Sequence, residues 1–220
     1  AALLLRAFAG DGWRDAGFAP RFRGNGKWYA VSLLAFPVLT TVTLAIGATV
    51  GLASFPGFTV ASLGVILQTF ALGVVPQFIK NIFEETAWRG YLAPKVHSLG
   101  LGDYTGHVIV GLVWGAWHIP YYLFYLEPEV LARFTVLDVA AFIPVSIGVM
   151  VAWGIVFGEI RLLTGSVWPA VLMHMVEDAF LNQLFMDGHV SILPGTDWLA
   201  SPVHGVIGVA LFVALGVTLN

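Results

Sequence analysis

An all-α, polytopic bundle of transmembrane helices with about six spans is the fold this sequence predicts, and three observations predict it. The 220 residues are 58% hydrophobic and only 10% charged. Soluble domains carry roughly 45–50% apolar and about 25% charged residues, so there is too little charge here to cover a water-facing surface. The apolar residues come in long runs, and a helix needs about 20 of them to cross about 30 Å of hydrocarbon. Within the runs polarity does not alternate over about 10 residues, as barrel strands require, so the spans are helices.

The chain reads as one integral membrane domain over 1–220, with an interfacial lead-in at 1–27 and the bundle at 28–219. The lead-in predicts a short interfacial helix at its start and then a Gly-rich, basic stretch, GDGWRDAGFAPRFRGNGK, at 10–27. The first span is expected at 28–52, closed by the SFPGF turn at 54–58, and the second at 59–79. A polar segment, KNIFEETAWRGYLAPKV at 80–96, predicts a second short interfacial helix over 80–97, ended by Pro94 and Gly100. Further spans are expected at 104–126, at 136–157 with a kink at Pro144, at 166–185 and at 203–219. The glycines at 148–158 and 205–216 suit close helix packing.

Positive charge sets orientation. With the N-terminus inside, Arg6, Arg14, Arg21, Arg23, Lys27, Lys80, Arg89, Lys95 and Arg161 all fall inside, and Arg133 alone falls outside. Both termini are therefore expected in the cytoplasm. The net charge of −3 clusters in loops and by itself says nothing of nucleic acid; the partners expected are the lipid bilayer and a peptide substrate, with no nucleic acid. The absence of cysteine excludes disulfides, thiol nucleophiles and cysteine-based zinc sites.

Ionisable groups at membrane depth cost at least a few kcal/mol each, which makes them functional candidates. Glu85 and Arg89 are four apart, share a helix face and can pair, leaving Glu84 turned about 100° away. His118 sits in the aromatic run LVWGAWHIP, and His174 and Asp178 share a face of VWPAVLMHMVEDAF. Taken singly, each has an ordinary reading: a solvated helix end, a packed histidine, a polar contact between helices. Taken together, a carboxylate and two imidazoles on three helical segments are what water activation requires. Glu159 and Arg161 read as a span end, and His97, His107, His189 and His204 as interfacial.

At these residues the sequence resembles the CAAX prenyl protease type II and bacteriocin-processing (CPBP, Abi) family of intramembrane peptidases. That family's signature is Glu-Glu-x-x-x-Arg, then Phe-x-x-x-His, then His-x-x-x-Asn/Asp. Here the three parts read EETAWR at 84–89, WGAWH at 114–118 and HMVED at 174–178, inside a motif core spanning 76–182. Trp114 replaces the usual Phe, an aromatic exchange. Asp178 stands where Asn is common, and an ionised Asp cannot donate a hydrogen bond to an oxyanion. The resemblance implies Glu84 as general base, His118 as its partner in holding the water, and His174 and Asp178 as oxyanion support. It leaves Glu85 and Arg89 to shape the cleft, with Arg89 an anchor for a substrate carboxylate.

Two imidazoles and a carboxylate also make a zinc set, Glu84, His118 and His174, with an open position for water. Both the zinc and the metal-free glutamate mechanisms stay open at this level. The function implied is endopeptidase cleavage of a hydrophobic, membrane-associated or lipid-modified peptide in a bacterial plasma membrane, with maturation or bacteriocin immunity as the family-level role. The alternative is a non-enzymatic immunity or scaffold protein that binds a partner through the same polar cleft. The sequence carries no oligomeric state.

Overall fold

A computed structural model of the chain describes residues 1–56, 58–181, 184–185 and 188–220. Gly57 of the SFPGF turn, Asn182 at the end of the motif core, Gln183 of the expected 166–185 span and Asp187 at the head of the polar segment lie outside the described residues. The chain is mostly helical. The N-terminal segment contributes α1 (Ala2–Phe8), and α2 spans Gly26–Thr49. A two-residue β1 (Ala53–Ser54) precedes α3 (Val60–Ala87), which runs through a π turn at Trp88–Leu92 into α4 (Ala93–His97). There follow α5 (Asp103–Trp117), α6 (Ile119–Phe124), α7 (Pro128–Leu131) and α8 (Val139–Thr164). Then come α9 (Trp168–Val176), a π turn at Glu177–Leu181, β2 (Ser191–Ile192), α10 (Asp197–Ala200) and α11 (Val206–Leu219).

Three helical stretches are long and apolar enough to cross a bilayer: Gly26–Thr49, Val60–His97 and Val139–Thr164. Val206–Leu219 is a shorter apolar helix. The span expected at 104–126 is broken. His118 ends α5 and begins α6, because Pro120 in the first turn of α6 cannot donate a backbone hydrogen bond to α5. The span expected at 166–185 is likewise a nine-residue helix followed by a π turn.

The separate interfacial helix expected at 80–97 does not exist. Between Gln77 and Arg89 there is neither Gly nor Pro to stop α3, and the polar side chains that seemed to mark a water interface, Asn81 and Glu85, are buried. Likewise α8 continues beyond the expected end at 157 to Thr164, where Gly165 takes a left-handed conformation and closes it.

Loops gather at two ends of the bundle. At one, β1 pairs antiparallel with β2 and Thr135 Oγ1 donates to Asp197 at 2.5 Å. At the other, the N-terminal segment straps the helix ends. Arg6 donates to the Gly90 carbonyl at 3.0 Å, Trp168 Nε1 to Phe18 O at 2.7 Å, and Arg161 to Asp15 O at 2.7 Å. The hydrogen bond from Arg6 holds the Asp15 carboxyl below its usual range, and those from Lys95 and Tyr91 do the same for Asp11. Both termini lie at this end, since Asn220 donates to Glu159 at 3.1 Å.

The core is where α5 crosses α8. A Cβ on Gly111 would meet Val151 Cα at 2.6 Å, and one on Gly115 would meet Ile147 Cα at 2.9 Å, so glycine lets the two backbones touch. Of the glycines expected to pack, Gly154, Gly158 and Gly216 do, whereas Gly148 has open space.

Candidate functional site

Three segments bring the site together: the last turns of α3, the α5–α6 junction and the join between α9 and its π turn. Both π turns begin inside a motif, Trp88–Leu92 within EETAWR and Glu177–Leu181 within HMVED. Such turns recur where side chains must be re-aimed.

Glu85 is at the centre. It is completely buried, as is Arg89. Arg89 Nη1 donates to both Glu85 oxygens, at 3.0 and 3.1 Å. The guanidinium lies 4.4 Å from the Trp114 ring centroid and 4.5 Å from that of Phe157, so its faces are covered by aromatic rings. His174 Nδ1 sits 2.9 Å from Glu85 Oε1. Because a carboxylate accepts, Nδ1 carries the proton and Nε2 is turned to the cavity. Trp114 and Phe157 wall the same imidazole at centroid distances of 5.3 and 5.9 Å. Arg89, Glu85 and His174 thus form one buried relay. Arg89 does not line the cavity, which corrects its expected place as a substrate-carboxylate anchor.

Glu84 points to the cavity. Its Oε1 is 3.3 Å from Lys80 Nζ. Its Oε2 is 4.0 Å from His174 Nε2 and takes no hydrogen bond from the protein among the described residues. His118 is half-buried, and its Nδ1 donates to the Trp114 carbonyl at 2.9 Å, which leaves Nε2 as the acceptor when the ring is neutral. Asp178 Oδ2 is 3.9 Å from His174 Nε2 and accepts from Lys80 Nζ and Asn81 Nδ2, both at 2.8 Å. Glu84, His118, His174 and Asp178, predicted from three separate stretches, therefore line one cavity of about 590 Å³. Much of its wall is apolar: Trp117, Tyr121, Leu126, Val130, Phe134 and Met150.

Sequence reasoning missed Lys80 and Asn81 as site residues. They lie four and three residues before Glu84, on its side of a helix, and that spacing would have found them had a span end not been set at 79. Glu177, read as a rotated neighbour, is buried and lines the cavity. Two expected interfacial groups are also buried: His107 pairs with Glu159 at 3.1 Å, and His204 with Asp197 at 3.2 Å. Glu159 is accordingly no solvated span end.

Among the described residues, three donors close enough to share one ion are His174, Glu177 and Asp178, within 4.8 Å of one another. Only His174 is common to this triad and the zinc set Glu84, His118 and His174.

The family described as Type II CAAX prenyl endopeptidase Rce1-like matches residues 66–180, just over half of the chain and all three motifs. No curated protein matches it.

Proposed function

The chain belongs to the Rce1-like family of type II CAAX prenyl endopeptidases, and from that premise we propose that it is an intramembrane endopeptidase in which Glu84 activates water. One observation carries this reading. Among the described residues Glu84 Oε2 takes no protein hydrogen bond, and it lies beside the cavity-facing nitrogen of His174, in an apolar cavity that His118 also lines. Glu84 takes a proton from a water that His118 Nε2 orients. The resulting hydroxide adds to the carbonyl carbon, and the carbonyl electron pair moves onto oxygen. That oxyanion forms on the side of the cavity lined by His174 and Asp178. Collapse breaks the C–N bond, and the proton held by Glu84 passes to the departing amine.

The apolar wall favours a hydrophobic, membrane-associated or lipid-modified peptide as substrate. The donor arrangement supports a metal-free mechanism. A zinc ion on either donor set would share a carboxylate with Lys80, which is 3.3 Å from Glu84 and 2.8 Å from Asp178. An ammonium so placed repels a divalent cation. An ion on either set would have to displace that lysine, and no step is routed through a metal.

The test uses the full chain in proteoliposomes with a degenerate library of hydrophobic peptides, prenylated and unprenylated, read by mass spectrometry. Glu84→Gln should slow cleavage by about 10²–10⁴-fold, with His118→Ala in the same range. A chelator should leave the wild-type rate unchanged. Full cleavage by both variants would remove Glu84 and His118 from the chemistry, and a wild-type chain that cleaves no peptide would turn the reading to a non-enzymatic binder. Activity lost in chelator and restored by zinc would sink the metal-free mechanism.

A further inference from the structure

We infer that Lys80 is a catalytic residue of this site and that its ammonium donates the hydrogen bond to the oxyanion that Asp178 cannot supply. The inference rests on the peptidase reading above and deepens it. Asp178 Oδ2 already accepts from Lys80 Nζ and Asn81 Nδ2, both at 2.8 Å, and a carboxylate engaged by an ammonium and an amide acts as an acceptor with no proton to give. His118 spends its Nδ1 proton on the Trp114 carbonyl, and His174 spends its own on Glu85. In its neutral form each imidazole therefore turns an acceptor nitrogen, not an N–H, to the cavity.

Lys80 has three N–H groups. One goes to Asp178, and a second faces Glu84 Oε1 at 3.3 Å. The third has no acceptor among the described residues, the side chain is 45% exposed, and Lys80 lines the cavity beside Glu84 and Asp178. An ammonium there meets negative charge as it develops on the carbonyl oxygen, at the position where an asparagine amide would otherwise donate. Asp178 then serves as the acceptor that positions Lys80.

Three variants of the full chain test this on the best-cleaved library peptide. Lys80→Met should lower kcat by about 100-fold or more, with KM changed by less than about threefold, since an oxyanion contact is made only in the transition state. Adding Asp178→Asn to Lys80→Met should restore at least about tenfold of that loss, because the amide returns a donor. Adding Asp178→Leu instead should restore nothing, although it also removes the unpaired carboxylate. The two double variants carry no unpaired acid at that position, so their comparison stands even if Lys80→Met alone misfolds. Lys80→Met with wild-type kcat, or equal rescue by Asn and Leu, overturns the inference while leaving Glu84 as the base. A wild-type chain that cleaves no library member overturns the peptidase reading, and this inference with it.

Discussion

At the scale of single residues, the site is organised by one sealed ion pair. Arg89 has no access to water, and its charge is met by Glu85 on one side and two aromatic faces on the others. Removing one partner of such a pair leaves the other charged and buried, which costs about 3–5 kcal/mol. Arg89→Met should therefore lower stability by about that much in detergent denaturation. Glu85→Gln combined with Arg89→Met should recover part of the loss. Because Glu85 also holds His174 Nδ1, the double variant should be folded yet slow. A double variant with wild-type kcat would show that His174 needs no orienting carboxylate. Glu84, one residue away, has the opposite environment, with one oxygen on a flexible lysine and the other without a protein donor among the described residues. Adjacent glutamates thus divide into a sealed, paired group and a cavity-lining one by the direction in which the helix points them.

At the scale of elements, position is set by interruptions. His118 is available because Pro120 breaks the helix there, and each π turn begins within a few residues of a motif glutamate or histidine. The close crossing of α5 and α8 brings Trp114 and Phe157 together, 5.5 Å apart, against both Arg89 and His174. Gly111→Ala would set a methyl 2.6 Å from Val151 Cα, backbone that cannot step aside. Forcing the helices apart should cost about 1–3 kcal/mol and lower activity with it. Gly148→Ala, on the same helix as Val151 but facing open space, is the control and should be neutral or slightly stabilising. Equal melting temperatures for the two variants would argue against a tight crossing.

At the scale of the whole molecule, the loops sort to two ends, and both termini share one of them. That end carries Arg6, Arg14, Arg21, Arg23, Lys27, Lys95 and Arg161, and we propose that it is cytoplasmic. Lys80 and Arg89, first counted toward orientation, are committed to the site, one at the cavity and one buried beside Glu85, and carry no weight in it. The cavity wall reaches Val130, Leu131 and Val203 near the opposite end, so orientation decides from which side a peptide enters. Reporter fusions at 127–135 and at the 188–200 loop should read as non-cytoplasmic. A cytoplasmic signal from either reverses the assignment.

The helical, membrane-embedded class was legible in the sequence because it depends on composition and run length, which need no tertiary information. The motif residues were legible because ionisable groups within apolar runs stand out against what lipid tolerates. The pairing of Glu85 with Arg89 followed from helical spacing alone. What the tertiary structure decided was every partnership across helices. It buried Asn81, His107 and Glu159, carried α3 unbroken past Lys80, and set that lysine between Glu84 and Asp178. A polar residue in an apolar run announces that it needs a partner, but which helix supplies that partner is a matter of packing between segments far apart in the chain, 52 residues for His107 and Glu159 and 97 for Asn81 and Asp178, and no local pattern encodes it.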